Sequence, residues 1–290
     1  MEDRHWPKAL TSLKYFCEQM PELTLCAAGS LLGVYLADES FPVGKVTLLD
    51  LFPMSFEEFL EALEKQSLVE LLRSHVFHHP LPQAAHDRLW DLWKLYLIVG
   101  GLPEAVACYR NKMDDQYKAV KDVREVQHNL LETYMADIAK HSGKINALHI
   151  ERLWRNVTHQ LARSQNGSAP KFRFKTYKGY VAENFLAQEL RSSGISALYC
   201  WSGRTAEVEF LLESASGIIP VEVKAGNITQ SKSLRVYEER YKPQKSIVLS
   251  ARNIESRGPR LHVPLYLAGI LRKYAASNGL GSSDSANQSL

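Results

Sequence analysis

Glu207-Val-Glu-Phe-Leu-Leu-Glu-Ser-Ala-Ser-Gly-Ile-Ile-Pro-Val-Glu-Val-Lys-Ala-Gly226 is the stretch whose reading decides the fold. Its β-branched and aromatic residues predict two short strands joined by a Ser/Gly turn. Period two puts Glu207, Glu209 and Leu211 on one face of the first strand and Val208, Phe210 and Leu212 on the other. In the second strand Ile219, Val221 and Val223 fall on the packed face, and Glu222 and Lys224 point out together on the opposite one. A hairpin through Glu213 to Gly217 brings Glu209 beside Glu222. Carboxylates held that close repel each other unless a cation lies between them, and Mg²⁺, an oxygen-preferring ion that keeps several waters, suits the arrangement. Lys224 could then orient an attacking water or neutralise charge on a phosphate. By itself Glu-x-Lys is a very weak signal and reads as the solvated face of a strand, carrying an ion pair worth ~0–1 kcal/mol.

Upstream, Tyr180-Val-Ala-Glu-Asn-Phe-Leu-Ala-Gln-Glu-Leu190 reads as a helix with Tyr180, Glu183, Ala187 and Leu190 along one stripe. Glu183 then sits among apolar neighbours and needs a partner, whereas Glu189 is expected to be solvated. The order helix Glu, strand Glu, turn, strand Glu-x-Lys resembles the PD-(D/E)xK restriction-endonuclease-like superfamily. That resemblance implies Glu183 as the helix acid, Glu209 and Glu222 as the strand acids that hold Mg²⁺, and Lys224 as the catalytic lysine. Position 209 carries Glu where Asp is commoner, which moves the ligand oxygens by about one bond length.

Charge is distributed unevenly around this module. Residues 1–162 carry 17 Lys+Arg against 22 Asp+Glu, and residues 163–290 carry 18 against 10, so the two parts stand at −5 and +8. A basic surface around a phosphodiester site is what nucleic-acid binding uses. Lys171-Phe-Arg-Phe-Lys175 alternates basic and aromatic residues, and as a strand it would place Lys171, Arg173 and Lys175 on one face, along a DNA backbone. It reads equally as a plain half-buried strand, and the basic half as an ordinary Lys-rich surface.

Earlier in the chain, a helix is predicted over His5–Met20, a buried strand over Leu23–Ala28 and a second strand over Val46–Phe52. A further helix begins at Pro53, with Ser55 as N-cap and Glu58 at the capping-box position. Gly44-Lys45 is not a phosphate loop, because Val46 follows it and Glu39 stands at the position of the first glycine. Val46-Thr-Leu-Leu-Asp50 imitates the strand that carries a catalytic Asp, yet with no phosphate loop ahead of it a core strand is the expectation. ATP hydrolysis by this chain alone is not expected.

Ala27-Ala-Gly-Ser-Leu-Leu-Gly33, Ser40-Phe-Pro-Val-Gly-Lys-Val46, Phe52-Pro-Met-Ser-Phe-Glu-Glu-Phe59 and Gly100-Gly-Leu-Pro-Glu-Ala-Val106 resemble a prokaryotic AAA-type ATPase family with a C-terminal restriction-endonuclease-like domain. Pro220–Gly226 and Ser231–Tyr237 are similar to that domain. The resemblance implies an α/β chain in several parts. Residues 1–66 form an incomplete P-loop ATPase-like segment lacking both nucleotide motifs, 67–165 a helical lid or linker, 166–276 an endonuclease-like α/β module, and 277–290 a disordered tail. It also implies a chain truncated at its N-terminus and internally deleted near Lys175-Thr176, with Ser30 at a sensor position. A DNA-binding protein with a Mg²⁺-dependent nuclease-type site is the leading expectation. A catalytically silent interaction or DNA-binding module is the alternative.

The helical middle is predicted as Leu81–Val99, Pro103–Asn111, Asp114–His141 and Ile145–Arg163, the last with Ile150, Leu153, Trp154, Val157 and Leu161 at helical spacing. His75, His78 and His79 lack an acid or Cys at ligand spacing and read as a loop or helix end. Cys17, Cys26, Cys108 and Cys200 are too dispersed for a zinc site and are expected to be reduced and mostly buried. No apolar run is long enough to span a bilayer and the N-terminus has no signal-peptide pattern, so no membrane association and a cytoplasmic location are expected.

Overall fold

The computed structural model describes residues 7–28, 44–74, 79–142, 146–152, 174–227 and 231–277. The chain divides into two compact units, residues 1–51 and 52–290.

In the first unit α1 spans Pro7–Gln19. The strands expected at Leu23–Ala28 and Val46–Phe52 are not formed: both stretches are irregular. Leu23, Leu25, Leu48, Leu49 and Leu51 are exposed, Leu51 completely. An apolar run becomes a strand only when a neighbour satisfies its backbone groups, and every described strand lies between Tyr199 and Pro264. Ser30, His75 and His78 lie outside the described residues, and Cys17, Cys26 and Cys200 are exposed rather than buried.

The second unit opens on α2 (Phe56–Ala62), where the predicted capping box is present. The Ser55 hydroxyl accepts from the Glu58 N–H, and the Glu58 carboxylate accepts from the Ser55 N–H at 2.7 Å. Helices α3 (Gln66–Ser74), α4 (Gln83–Val99), α5 (Pro103–Arg110) and α6 (Gln116–Ser142) follow. The chain is helical again over 146–152, and the remainder of the expected 145–163 helix lies outside the described residues. Phe56 and Phe59 of α2 meet the Tyr96 ring of α4 edge-on, and Tyr96 in turn meets Phe185.

Gly100 ends α4 at φ +77, and Gly101 lies against the chain just before α2. A Cβ on Gly101 would stand 2.3 Å from the Met54 carbonyl oxygen and 2.9 Å from its nitrogen, where the Met54 N–H donates to Gly101 O. Backbone cannot yield as a side-chain tip can. Gly101→Ala is therefore expected to lower stability by at least ~2 kcal/mol, which for a domain of this size is about 4–8 °C in Tm. A melting curve within a degree of wild type would show that this contact is looser than described.

Next, α7 (Phe174–Ser192) leads into a six-stranded sheet of order β1-β2-β3-β4-β6-β5. The strands are β1 Tyr199–Ser202, β2 Glu207–Ser214, β3 Gly217–Val223, β4 Ser246–Ser250, β5 Glu255–Arg257 and β6 Arg260–Pro264. The first three form an antiparallel meander; β3, β4 and β6 run parallel. α8 (Lys232–Tyr241) makes the crossover from β3 to β4, with Leu234 and Tyr237 buried. A 3₁₀ segment (Leu265–Ile270) and α9 (Leu271–Ser277) close the unit. The expected strand at 171–175 is corrected where it is described: Phe174 and Lys175 form the first turn of α7. Of the expected 277–290 tail, Ser277 is the last residue of α9 and the rest lies outside the described residues.

Candidate functional site

The β2–β3 hairpin turns at Ala215-Ser216, with Ser214 opposite Gly217 and Phe210 opposite Val221. Gly217 takes φ +117, a conformation open to glycine. This register carries Glu209 to Glu222, and Glu209 Oε2 accepts from the Val223 N–H at 3.4 Å.

One departure from strict alternation matters. Trp201 opposes Val208, and Tyr199 opposes Leu211. Tyr199 and Trp201 are two residues apart and share a face, so Val208 and Leu211 share it too. This requires one extra residue in β2, a bulge at Val208-Glu209. Val208, expected beside Phe210, therefore lies on the Glu209 side. The continuous core accordingly includes Phe210 and Leu212 but not Val208.

Glu222 is a second correction. Expected to point outward, it is 2% exposed. β3 is an interior strand, parallel to β4 on one side, and such strands are covered on both faces. Tyr237 of α8 meets Trp201 edge-on at 5.3 Å, which places α8 over the carboxylate side of the sheet. Lys224 Nζ lies 2.5 Å from Glu222 Oε1. Oε2 of Glu222 is buried with no hydrogen-bond partner. While both carboxyls are ionised neither can donate to the other, and a proton on Glu209 supplies the missing donor. Burial first, and then the charge of Glu222, push the Glu209 carboxyl up to about 8. The Lys224 N–H donates to Leu249 O at 2.8 Å, which extends the β3–β4 ladder past the strand and fixes the lysine backbone.

Glu183 reaches the same place from α7. It is half-buried, and its carboxyl is raised by burial, with Lys224 opposing and Glu222 reinforcing the shift. The structure thus brings together Glu183, Glu209, Glu222 and Lys224. Of the basic trio, Lys171 and Arg173 lie outside the described residues, and of Lys175 only the helical backbone is described.

Glu189, expected to be solvated, is the buried acid of α7 at 2% exposure. The buried stripe runs through Ala182, Phe185, Leu186, Glu189 and Leu190 rather than through Glu183 and Ala187. Glu189 Oε1 accepts from the Phe56 N–H at 2.8 Å, and burial pushes its carboxyl up to about 7. Beside it Gln188 donates to the Tyr96 hydroxyl, which donates to Met54 O at 2.6 Å. Two consecutive side chains of α7 therefore grip the chain on either side of Ser55. His262, opposite Val248 and so on the Glu222 side of the sheet, is also buried, and its Nδ1 lacks a partner.

Among the described residues no three His, Cys, Asp or Glu side chains are grouped to hold a metal ion. Two carboxylates with one unpartnered buried oxygen still fit Mg²⁺, which keeps several waters and is often held by one or two carboxylates. Glu209 and Glu222 would be its ligands. Among the described residues no helix is long and apolar enough to cross a membrane.

Two family models match the chain. A domain of unknown function (DUF4143) covers residues 178–266, and a domain of unknown function (DUF8612) covers residues 91–189. No curated protein and no solved structure matches. DUF4143 is found in AAA-ATPase-associated proteins, which is compatible with the ATPase-family resemblance of the sequence. The span similar to it holds Glu183, Glu209, Glu222 and Lys224 together with all six described strands.

Proposed function

We propose that this chain binds DNA and carries a Mg²⁺-dependent nuclease-type site, built on an endonuclease-like α/β module. The observation that supports the reading most is the pairing of half-buried Glu209 with buried Glu222, with Lys224 at 2.5 Å and one Glu222 oxygen unpartnered. Two carboxyls that cannot both ionise comfortably form a site that a divalent cation relieves. With Mg²⁺ bound by Glu209 and Glu222, the ion supplies Lewis-acid activation of a phosphoryl oxygen and a more acidic water. Lys224, fixed by its backbone bond to Leu249, would hold its ammonium against the developing phosphate charge, and Glu183 would keep that ammonium charged and oriented.

A second reading draws on the same ion pair. Lys224 already neutralises Glu222, and a proton on Glu209 would complete a closed, neutral triad with no metal. In that reading the module binds a partner and cleaves nothing. Incubating supercoiled plasmid with the protein, with Mg²⁺ and with EDTA, separates the two: nicking only with Mg²⁺ supports the first, and intact plasmid in both supports the second.

DNA association is expected to come from the basic C-terminal part, so its affinity should fall steeply as salt rises from 50 to 200 mM. Affinity unchanged across that range, or absent at 50 mM, would remove DNA from the account.

A further inference from the structure

The carboxylate face of the sheet carries a second chemistry at its open edge. Among the described residues β1 is an edge strand, and the register that bulges β2 puts Tyr199 and Trp201 on the same side as Glu209 and Leu211. Trp201 opposes Val208, the residue next to Glu209. Over it, α8 ends in Tyr241, whose hydroxyl accepts from Trp201 Nε1–H at 3.2 Å and whose ring lies 6.0 Å from the indole. Tyr237 fills the gap between them and is buried, at 4.7 Å from Tyr241.

The outer rings are not core. Tyr199 is 63% exposed and Tyr241 48% exposed, so both rings are open to a ligand. Cations stand near both rings, alongside the exposed acids Glu207 and Glu239. The Arg240 guanidinium sits 5.2 Å over the Tyr241 ring, and Arg204 and Lys242 are exposed nearby in sequence on the turn after β1 and at the end of α8. Exposed aromatic rings set among cations form a platform on which bases stack while the backbone phosphates meet the charges. A regular duplex keeps its bases stacked on one another and offers such rings nothing. A protein partner matched to exposed aromatics alone would leave the cations without a counterpart.

We infer that Tyr199 and Tyr241 are a base-stacking platform beside the Glu209–Glu222 pair, and that the site takes nucleic acid whose bases are unpaired, as in a single strand or a frayed end. The platform rests on the proposed reading for what happens after binding, but not for binding itself. Trp201 meets the Tyr241 ring edge-on, and this ring contact rather than the hydroxyl bond supports the tyrosine.

The test is fluorescence anisotropy of labelled oligo(dT) and of a blunt duplex of equal length, in EDTA at low salt, so that no cleavage can intervene. Wild type is expected to bind oligo(dT) the more tightly. Tyr241→Ala and Tyr199→Ala should each weaken oligo(dT) binding about tenfold, as loss of one stacked base does, and leave duplex binding within twofold. Tyr241→Phe, which keeps the ring and loses the hydroxyl, should bind oligo(dT) within about twofold of wild type. Far-UV circular dichroism on each variant separates lost stacking from lost folding. Equal binding of oligo(dT) by wild type and both alanine variants, or a preference for the blunt duplex, overturns the platform. Absence of cleavage with Mg²⁺ while the oligo(dT) result stands would instead remove the nuclease reading and leave the platform in place.

Discussion

Lys224→Ala is expected to abolish Mg²⁺-dependent nicking while leaving metal binding nearly intact, and Glu222→Ala to lose both. An ammonium is not a metal ligand, so its removal touches only the phosphate charge that it faces; loss of one such preorganised group typically costs 10²–10³-fold in rate. Glu222 differs because it is both ligand and partner of Lys224 at 2.5 Å. Plasmid nicking and Mg²⁺ calorimetry on the two variants read the difference. If Lys224→Ala nicks at the wild-type rate, the lysine has no part in the chemistry. In the silent reading neither wild type nor variant cleaves.

The second large effect concerns pH. The folded protein holds protons on Glu209 up to about 8 and on Glu189 up to about 7, against 4.5 for an ordinary glutamate. Between those values the native state binds more protons than the unfolded chain, so stability falls as pH rises. The contribution is full below pH 4.5 and is lost progressively on the way to about pH 8. The buried His86 and His262 act in the opposite sense: burial lowers both from 6.5, so they cost stability as pH falls below that value. Glu209→Gln, which keeps the shape and removes the charge, should raise stability at pH 8 by about 1–3 kcal/mol and change little at pH 4.5. Melting curves at both pH values decide it. A Glu209→Gln protein less stable than wild type at pH 8 without metal would mean that the carboxylate is satisfied as it stands.

How much of this was legible in the sequence depends on how far each residue's surroundings are local. The hairpin was legible, because strand periodicity and a Ser/Gly turn are written into 207–226 and the turn fixes the register. The capping box at Ser55–Glu58 was legible for the same reason. Glu189 was not: α7 was read one residue out of phase, and on a helix one residue is about 100° of rotation, enough to exchange a buried acid for a half-buried one. The apolar pair Phe185-Leu186, followed by Leu190, was the signal that fixes the phase. The partner of Glu189, the Phe56 N–H, stands 133 residues away and no local pattern announces it. The bulge at Val208 was hidden because it exists only in the pairing with β1, a strand of four residues with little signal of its own. Leu23–Ala28 and Val46–Phe52 erred in the other direction: their composition suits strands, but the described residues offer them no neighbouring strand.

The claim on which the account turns is that Glu209 and Glu222 hold a divalent cation, and thermal melting of the wild-type protein at pH 8 with and without Mg²⁺ tests it most directly. A bound ion adds stability by mass action and removes the carboxylate repulsion. Tm is expected to rise with Mg²⁺ concentration and saturate in the wild type, and to lose this rise in Glu222→Ala. A Tm indifferent to Mg²⁺ in the wild type, or a rise of the same size in Glu222→Ala, would contradict it.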